Sequence, residues 1–359
     1  MESYKTIFYK FVIVVVSVFS LTTTSIASEK KTSFKMAWSI YAGWMPWGYA
    51  TEHGIIDKWA DKYGIEIEVI QMNDYIESII QYTAGAFDAC GMTNMDALTI
   101  PSISGVDTTG LILGDYSNGN DAILLKEGTK FADIKGQDVN LVELSVSHYL
   151  LARALDIHGM SERDIKVINT SDADAVASFS TPDVTAAAVW NPQLSLILDQ
   201  YPEVTSVFNS SEIPGEIIDM MGVNTEVLKA NPDFGKALVG AWFETLKLMS
   251  EDTEIAKVAR TSMAQKSGTD LVGYDAQLKQ TNMFYTPSSA FEFVTDKTLY
   301  NTMDKIRIFS FEKGLFGDNT ENPDIVGIEF PDGSILGDAK NVKLRFNADF
   351  VEMAKNGEL

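Results

Sequence analysis

A chain of 359 residues with 50 Asp and Glu against 28 Lys and Arg carries a formal charge of −22, an acidic surface that repels nucleic acid and anionic lipid and favours solubility. One cysteine, Cys90, excludes an internal disulfide, and three histidines without HExxH spacing or cysteine partners leave no visible zinc ligand set. Burial must hold the fold, and about 330 residues beyond a leader suffice for two domains with sizeable cores.

The leader comes first in the chain. Residues 1–10 carry Lys5 and Lys10, residues 11–21 form an apolar run too short to span a bilayer, and Ser25, Ile26 and Ala27 offer small residues for cleavage, so residues 1–27 read as a secretory signal peptide. Its removal takes away two lysines and one glutamate, a net single positive charge, and moves −22 to −23. No cysteine follows the cleavage point, which argues against a lipid anchor, and no later stretch approaches the roughly 20 apolar residues of a membrane helix.

Residues 36–41 read as a strand. Ile55, Ile56, Trp59, Ala60 and Tyr63 then fall on one helical face, and Ile65, Ile67 and Val69 alternate at period two. Ile76, Ile79, Ile80 and Thr83 mark a helix closed by Gly85, residues 87–92 a buried strand holding an inert Cys90, and residues 111–114 and 122–125 two more strands. The pattern restarts with a strand at 139–142, a helix at 147–157 and strands at 165–168, 186–189 and 204–208. From 231 to 309 the pattern is helical; beyond 311 it is rich in turn residues, with a short helix at 350–355. Strands alternating with helices predict parallel α/β sheets. The expected fold class is α/β in two lobes, the second inserted into the first: residues 28–121 plus 222–359 form lobe I, with 311–359 a C-terminal extension, and 122–221 form lobe II.

Ligands in such sheets sit beyond the carboxyl ends of strands and between domains, which directs attention to the loops at 43–48, 93–96, 115–121, 143–148, 190–193 and 219–224. Trp44 and Trp47 stand three apart in a Gly- and Pro-broken segment after the first strand, read as a loop; they form a clamp for a flat cation, or else cap the core. Carboxylates recur at Asp88, Asp96, Asp115, Asp121, Glu143 and Asp219, where the alternative is a turn or helix cap. Tyr41, Asn94, Tyr116, Ser145 and Trp190 are further wall candidates, Ser145 doubling as an N-cap. No GxSxG elbow, P-loop or GxGxxG is present, so no enzyme activity, cofactor or metal is expected.

The segments "GIIDKWADKYGIEIEVI", "YTAGAFDACGMTNMDAL", "DIKGQDVNLVELSVSHYLLARALDIHGM" and "AAAVWNPQL" resemble the periplasmic substrate-binding proteins of nitrate, sulfonate and taurine type ABC importers, a family that includes thiamine-pyrimidine binders; the likeness covers residues 34–309. "YAGWMPWGYA" and the tail "GIEFPDGSILGDAKNVKLRFNADFVEMA" resemble, more narrowly, the branch encoded beside urea carboxylase, with urea or guanidine as substrate. The resemblance implies type II periplasmic-binding-protein architecture, two crossover strands as hinge, a periplasmic location, an inner-membrane permease as partner and a monomer. Where anion binders of the family carry Gly or Ser before the second lobe's first helix, this chain has Glu143, which disfavours sulfonate or nitrate. The expectation is a binder of a guanidinium-like cation held by carboxylates and indoles. The alternatives are urea, a thiamine pyrimidine precursor, a taurine- or nitrate-type anion, or a thiamine-pyrimidine synthase-like enzyme, for which one cysteine supplies no iron motif.

Overall fold

In a computed structural model, residues 31–317 and 320–359 are described; the expected signal peptide, residues 1–27, lies outside them. The chain begins with β1 (Ser33–Ser39), a 3-10 turn and two helices, Met45–Glu52 and Ile55–Lys62, followed by β2 (Glu66–Met72), the helix Tyr75–Thr83, β3 (Ala89–Thr93) and the long β4 (Thr108–Ser117). It then crosses to β5 (Asp121–Leu125), which joins β6 (Asp138–Leu141), β7 (Lys166–Asn169), β8 (Ala186–Trp190) and β9 (Thr205–Asn209) in a second sheet of order β7-β6-β8-β5-β9. The return strand β10 (Ile218–Asn224) lies wholly in the first sheet, so the expected lobe boundary at 221/222 falls inside it.

Both sheets are mixed, not parallel throughout as the alternation predicts. β1 runs parallel to β2 and β3, but β10 is antiparallel to β3 and β4, because a chain returning from the second lobe enters the sheet from the opposite direction. β3, β5 and β8 are buried along their whole length, which matches their unbroken apolar runs. One main core runs through both lobes, and a smaller cluster, with Leu124, Phe179 and Ile197, fills the outer face of the second sheet.

Two segments depart from the expected elements. The Trp44–Trp47 segment is helical: the turn Ala42–Trp44 leads into Met45–Glu52 with Pro46 in the first turn, a place where proline's fixed φ and missing N–H do no harm. The turn-rich tail folds as β11 (Thr281–Met283) does, into short added strands: β12 (Gly327–Glu329), β13 (Ile335–Gly337) and β14 (Val342–Phe346), with β14 parallel to β4. Three-residue strands around the Pro331–Gly333 turn are too short to display period two. Arg345, bonded to Asp107 and Glu329, fastens them to the lobe.

Helix starts are set locally. Asp74 accepts from the Glu77 N–H at 2.8 Å to begin Tyr75–Thr83, and Ser145 accepts from the Ser147 N–H at 3.2 Å to begin the second lobe's helix Val146–Ile157. These two N-termini face the carboxyl ends of β1, β3 and β8, where a cavity lies.

Candidate functional site

The cavity measures about 20 Å³ and is lined by Ser39, Tyr41, Trp44, Tyr75, Thr93 and Asp219 from the first lobe, Val146 and Trp190 from the second, and Asp121 and Ile217 from the crossovers. By the measure in which one water needs about 10–15 Å³, it holds one or two water-sized groups as it stands, and a larger ligand requires the lobes to part. Its aromatic walls touch one another: Tyr41 stands edge-on to Trp44 with ring centres 5.2 Å apart, Trp44 lies 5.8 Å from Tyr75, and Tyr75 lies 5.8 Å from Trp190. Four rings from two lobes form an open cage.

The floor is acidic. Asp115 on β4 pairs in register with Asp219 on β10, and Asp219 in turn with Thr93 on β3, so strand pairing puts the three side chains on one face at one end of the sheet. Tyr41 Oη donates to Asp115 Oδ1 at 2.9 Å, while Asp115 Oδ2, wholly buried, has no partner. That oxygen lies against Gly43: a Cβ there would come within 2.5 Å of it, so glycine lets the turn close over the carboxyl. Asp121, at the crossover, accepts from Ser117 Oγ. No Lys, Arg or His lines the cavity.

Carboxyls buried this way resist ionisation. Burial pushes Asp115 and Asp121 up to about 7, Asp115 further raised by Asp121 and Asp121 by Asp96, and holds Asp219 well above the usual range with Asp115 and Asp121 adding repulsion. Burial also keeps the Tyr41 phenol protonated and able to donate. Behind the cage, Tyr75 Oη and Thr93 Oγ1 both donate to Asp96 Oδ2, at 2.5 and 2.8 Å. Burial raises Asp96 to about 6 even though the Tyr75 and Thr93 hydroxyls pull it down. Asp172, also raised to about 6 by burial, reaches back to accept from the Tyr75 N–H at 3.4 Å. A carboxyl of the second lobe thus sits at the N-terminus of the first lobe's helix Tyr75–Thr83.

Of the residues singled out in the sequence, Tyr41, Trp44, Asp121, Trp190 and Asp219 line the cavity, with Asp115 directly behind. The rest lie elsewhere. Glu143 is exposed, and its backbone N–H binds Asn169, so it faces solvent and not the ligand space. Trp47 stacks on Trp242 at 4.7 Å inside the lobe. Asp88 is held by Lys31 and the Lys35 N–H at the opposite end of the strands. Asn94 ties the Glu216 carbonyl to the Ile218 N–H, Tyr116 stacks on Phe293, and Ser145 caps its helix. Tyr75 and Thr93 were not singled out; their signal was position, since Thr93 ends β3 and Tyr75 opens the helix after β2.

Among the described residues no group of three or more His, Cys, Asp and Glu is placed to hold a metal ion, and no helix is long and apolar enough to cross a membrane. The Cys90 thiol is buried and pushed up to about 12, which leaves it unreactive.

Known proteins share this architecture. A model of the NMT1-like family matches residues 29–264. A protein of Brucella abortus (strain 2308) that bears a binding-protein name is 24% identical over 193 residues, 53% of this chain and 58% of the relative. The match thus spans under two thirds of that relative's length. The taurine-binding periplasmic protein of Escherichia coli (strain K12) is 19% identical over 52% of this chain and 61% of its own. The alkanesulfonate-binding protein of Xanthomonas axonopodis pv. citri, solved with MOPS bound, superimposes with a TM-score of 0.66 at 17% identity, covering 81% of this chain and 96% of its own, which shows the two-lobed periplasmic-binding-protein fold. These relatives are binding proteins, not enzymes.

Proposed function

The chain belongs to the NMT1-like family, and from that premise we propose that it is the periplasmic solute-binding component of an ABC importer, taking a small, flat guanidinium-type cation into the cleft between its lobes. One observation carries the ligand class: Asp121 and Asp219, with Asp115 behind, share a cavity walled by aromatic rings and lined by no basic side chain. Two relatives bear the names of taurine and alkanesulfonate, both of which carry a negative sulfonate group; this cavity offers carboxyls and no basic side chain to meet one. Glu143, exposed, has no part in that argument.

A micromolar site needs about 8 kcal/mol. Two charge-assisted hydrogen bonds of about 1.5–3 kcal/mol each and a cation–π contact of up to about 2 kcal/mol come within reach of it. A guanidinium offers paired N–H donors that one carboxylate accepts side by side, while its flat faces meet indole. Asp219 and Tyr41 would receive it from the first lobe, and Trp190 would close over it from the second. Ligand then biases an open–closed equilibrium that an inner-membrane permease reads. The narrower likeness to the urea carboxylase-associated branch points the same way, to a nitrogen-rich solute.

A second reading, urea, has one observation in its favour: carboxyls raised toward neutrality can donate to a carbonyl oxygen. A thermal-shift panel of guanidine, methylguanidine, urea, taurine, nitrate and an aminopyrimidine at pH 7.5 tests both. Stabilisation by guanidine is expected; stabilisation by taurine or nitrate alone overturns the cation reading, and turnover of any of them overturns the binding one.

A further inference from the structure

The cation site described above holds a carboxyl pair that cannot be fully ionised as built. Asp115 and Asp219 stand opposite one another across the β4–β10 ladder, so their buried carboxyls share one face of the sheet. Two neighbouring carboxyls buried beside a cavity that no basic side chain lines cannot both ionise without a large cost, so the pair keeps a proton. The groups facing the pair do not remove that need. Tyr41 comes from the turn after β1 and Asp121 from β5, with Tyr274 and the half-buried Tyr285 beyond; all are acids, and burial pushes all of them toward their neutral forms. Asp96 adds further negative potential through Asp121. An independent sign that the cluster awaits a donor is Asp115 Oδ2, wholly buried without a hydrogen-bond partner.

We propose that the site takes up its cation in exchange for a proton, the one shared by Asp115 and Asp219. The inference rests on the guanidinium-type reading of the cleft. When the cation enters, its N–H groups donate to the carboxyl oxygens; the carboxyl O–H bond breaks, the proton leaves to solvent, and the repulsion between the two carboxylates is offset by the positive charge beside them. One positive charge enters and one leaves, so the site's net charge is unchanged. Capture is then linked to pH through a single shared proton, and release becomes easier wherever the protein meets a more acidic surface.

Isothermal titration with guanidinium chloride at pH 6.5, repeated in phosphate and in ACES, measures the exchange, because the two buffers absorb a proton with different heats. The expected result is release of a substantial fraction of one proton per bound guanidinium, with the dissociation constant rising about tenfold per pH unit below pH 6. Asp115→Asn keeps a donor to Asp219 without a titrating group, and its buffer dependence is expected to shrink. Should that variant not fold, the pH slope of the unaltered protein still decides. Guanidinium binding with equal heats in both buffers and a flat pH profile overturns the exchange while leaving the ligand assignment standing. Absence of guanidinium binding overturns the assignment, and the exchange with it.

Discussion

Asp219 is under opposing demands: a ligand oxygen must be negative, and burial beside Asp115 and Asp121 makes negative charge costly. Asp219→Asn should therefore weaken guanidinium binding by about 10- to 150-fold, the worth of one charge-assisted bond, and should raise the melting temperature of the ligand-free protein at pH 8 by removing a like charge. Glu143→Gln should leave the dissociation constant within about twofold, since Glu143 is exposed. Both are read by titration and by thermal melting. Tyr41 and Trp190 were legible in the sequence because they sit at the carboxyl ends of β1 and β8, where ligands of such sheets lie; Asp121 and Asp219 open β5 and β10, whose antiparallel course brings their first residues to the same edge. Glu143 and Trp47 were legible as residue types only. Whether a side chain at such a place turns inward depends on one helical step, and three residues separate a cage indole, Trp44, from a core one, Trp47.

At the scale of elements, the same three-residue step separates stability from binding. Trp47 fills the space against Trp242 between the helices Met45–Glu52 and Pro232–Ser250, so Trp47→Ala should cost about 3–5 kcal/mol of folding stability. At temperatures where it remains folded, its guanidinium affinity should stay near that of the unaltered protein; denaturant melts and titration check the two halves. Trp44→Ala should show the reverse emphasis. The alternation of strands and helices revealed the two sheets, because buried strands such as β5 and β8 are unbroken apolar runs. It did not reveal the antiparallel return of β10, which follows from chain path, nor the short tail strands, which join the sheet through β14 on β4, more than two hundred residues away. Near the hinge, Glu216 gathers Tyr149, Arg153 and Lys305 at 2.6 to 2.9 Å, joining the second lobe's helix to the helix Lys297–Glu312. No local pattern marks such a long-range cluster.

For the whole molecule, the buried acids set the pH response of the ligand-free protein. Asp96, Asp115, Asp121 and Asp172 titrate at about 6 to 7 when folded, above about 3.9 when unfolded. Between those values the folded chain binds more protons than the unfolded one, so stability falls as pH rises through the window from about 4 to 7 and levels off above it. The melting temperature of the ligand-free protein should accordingly be higher at pH 5.5 than at pH 8, with guanidinium restoring more stability at pH 8 than at pH 5.5. A flat profile between those values would mean the acids ionise freely.

The most direct measurement is equilibrium dialysis of isotopically labelled guanidine against the protein at pH 7.5. The account predicts one saturable equivalent per chain, displaced by methylguanidine and untouched by excess taurine or nitrate. Saturable uptake of taurine or nitrate in guanidine's place would contradict it.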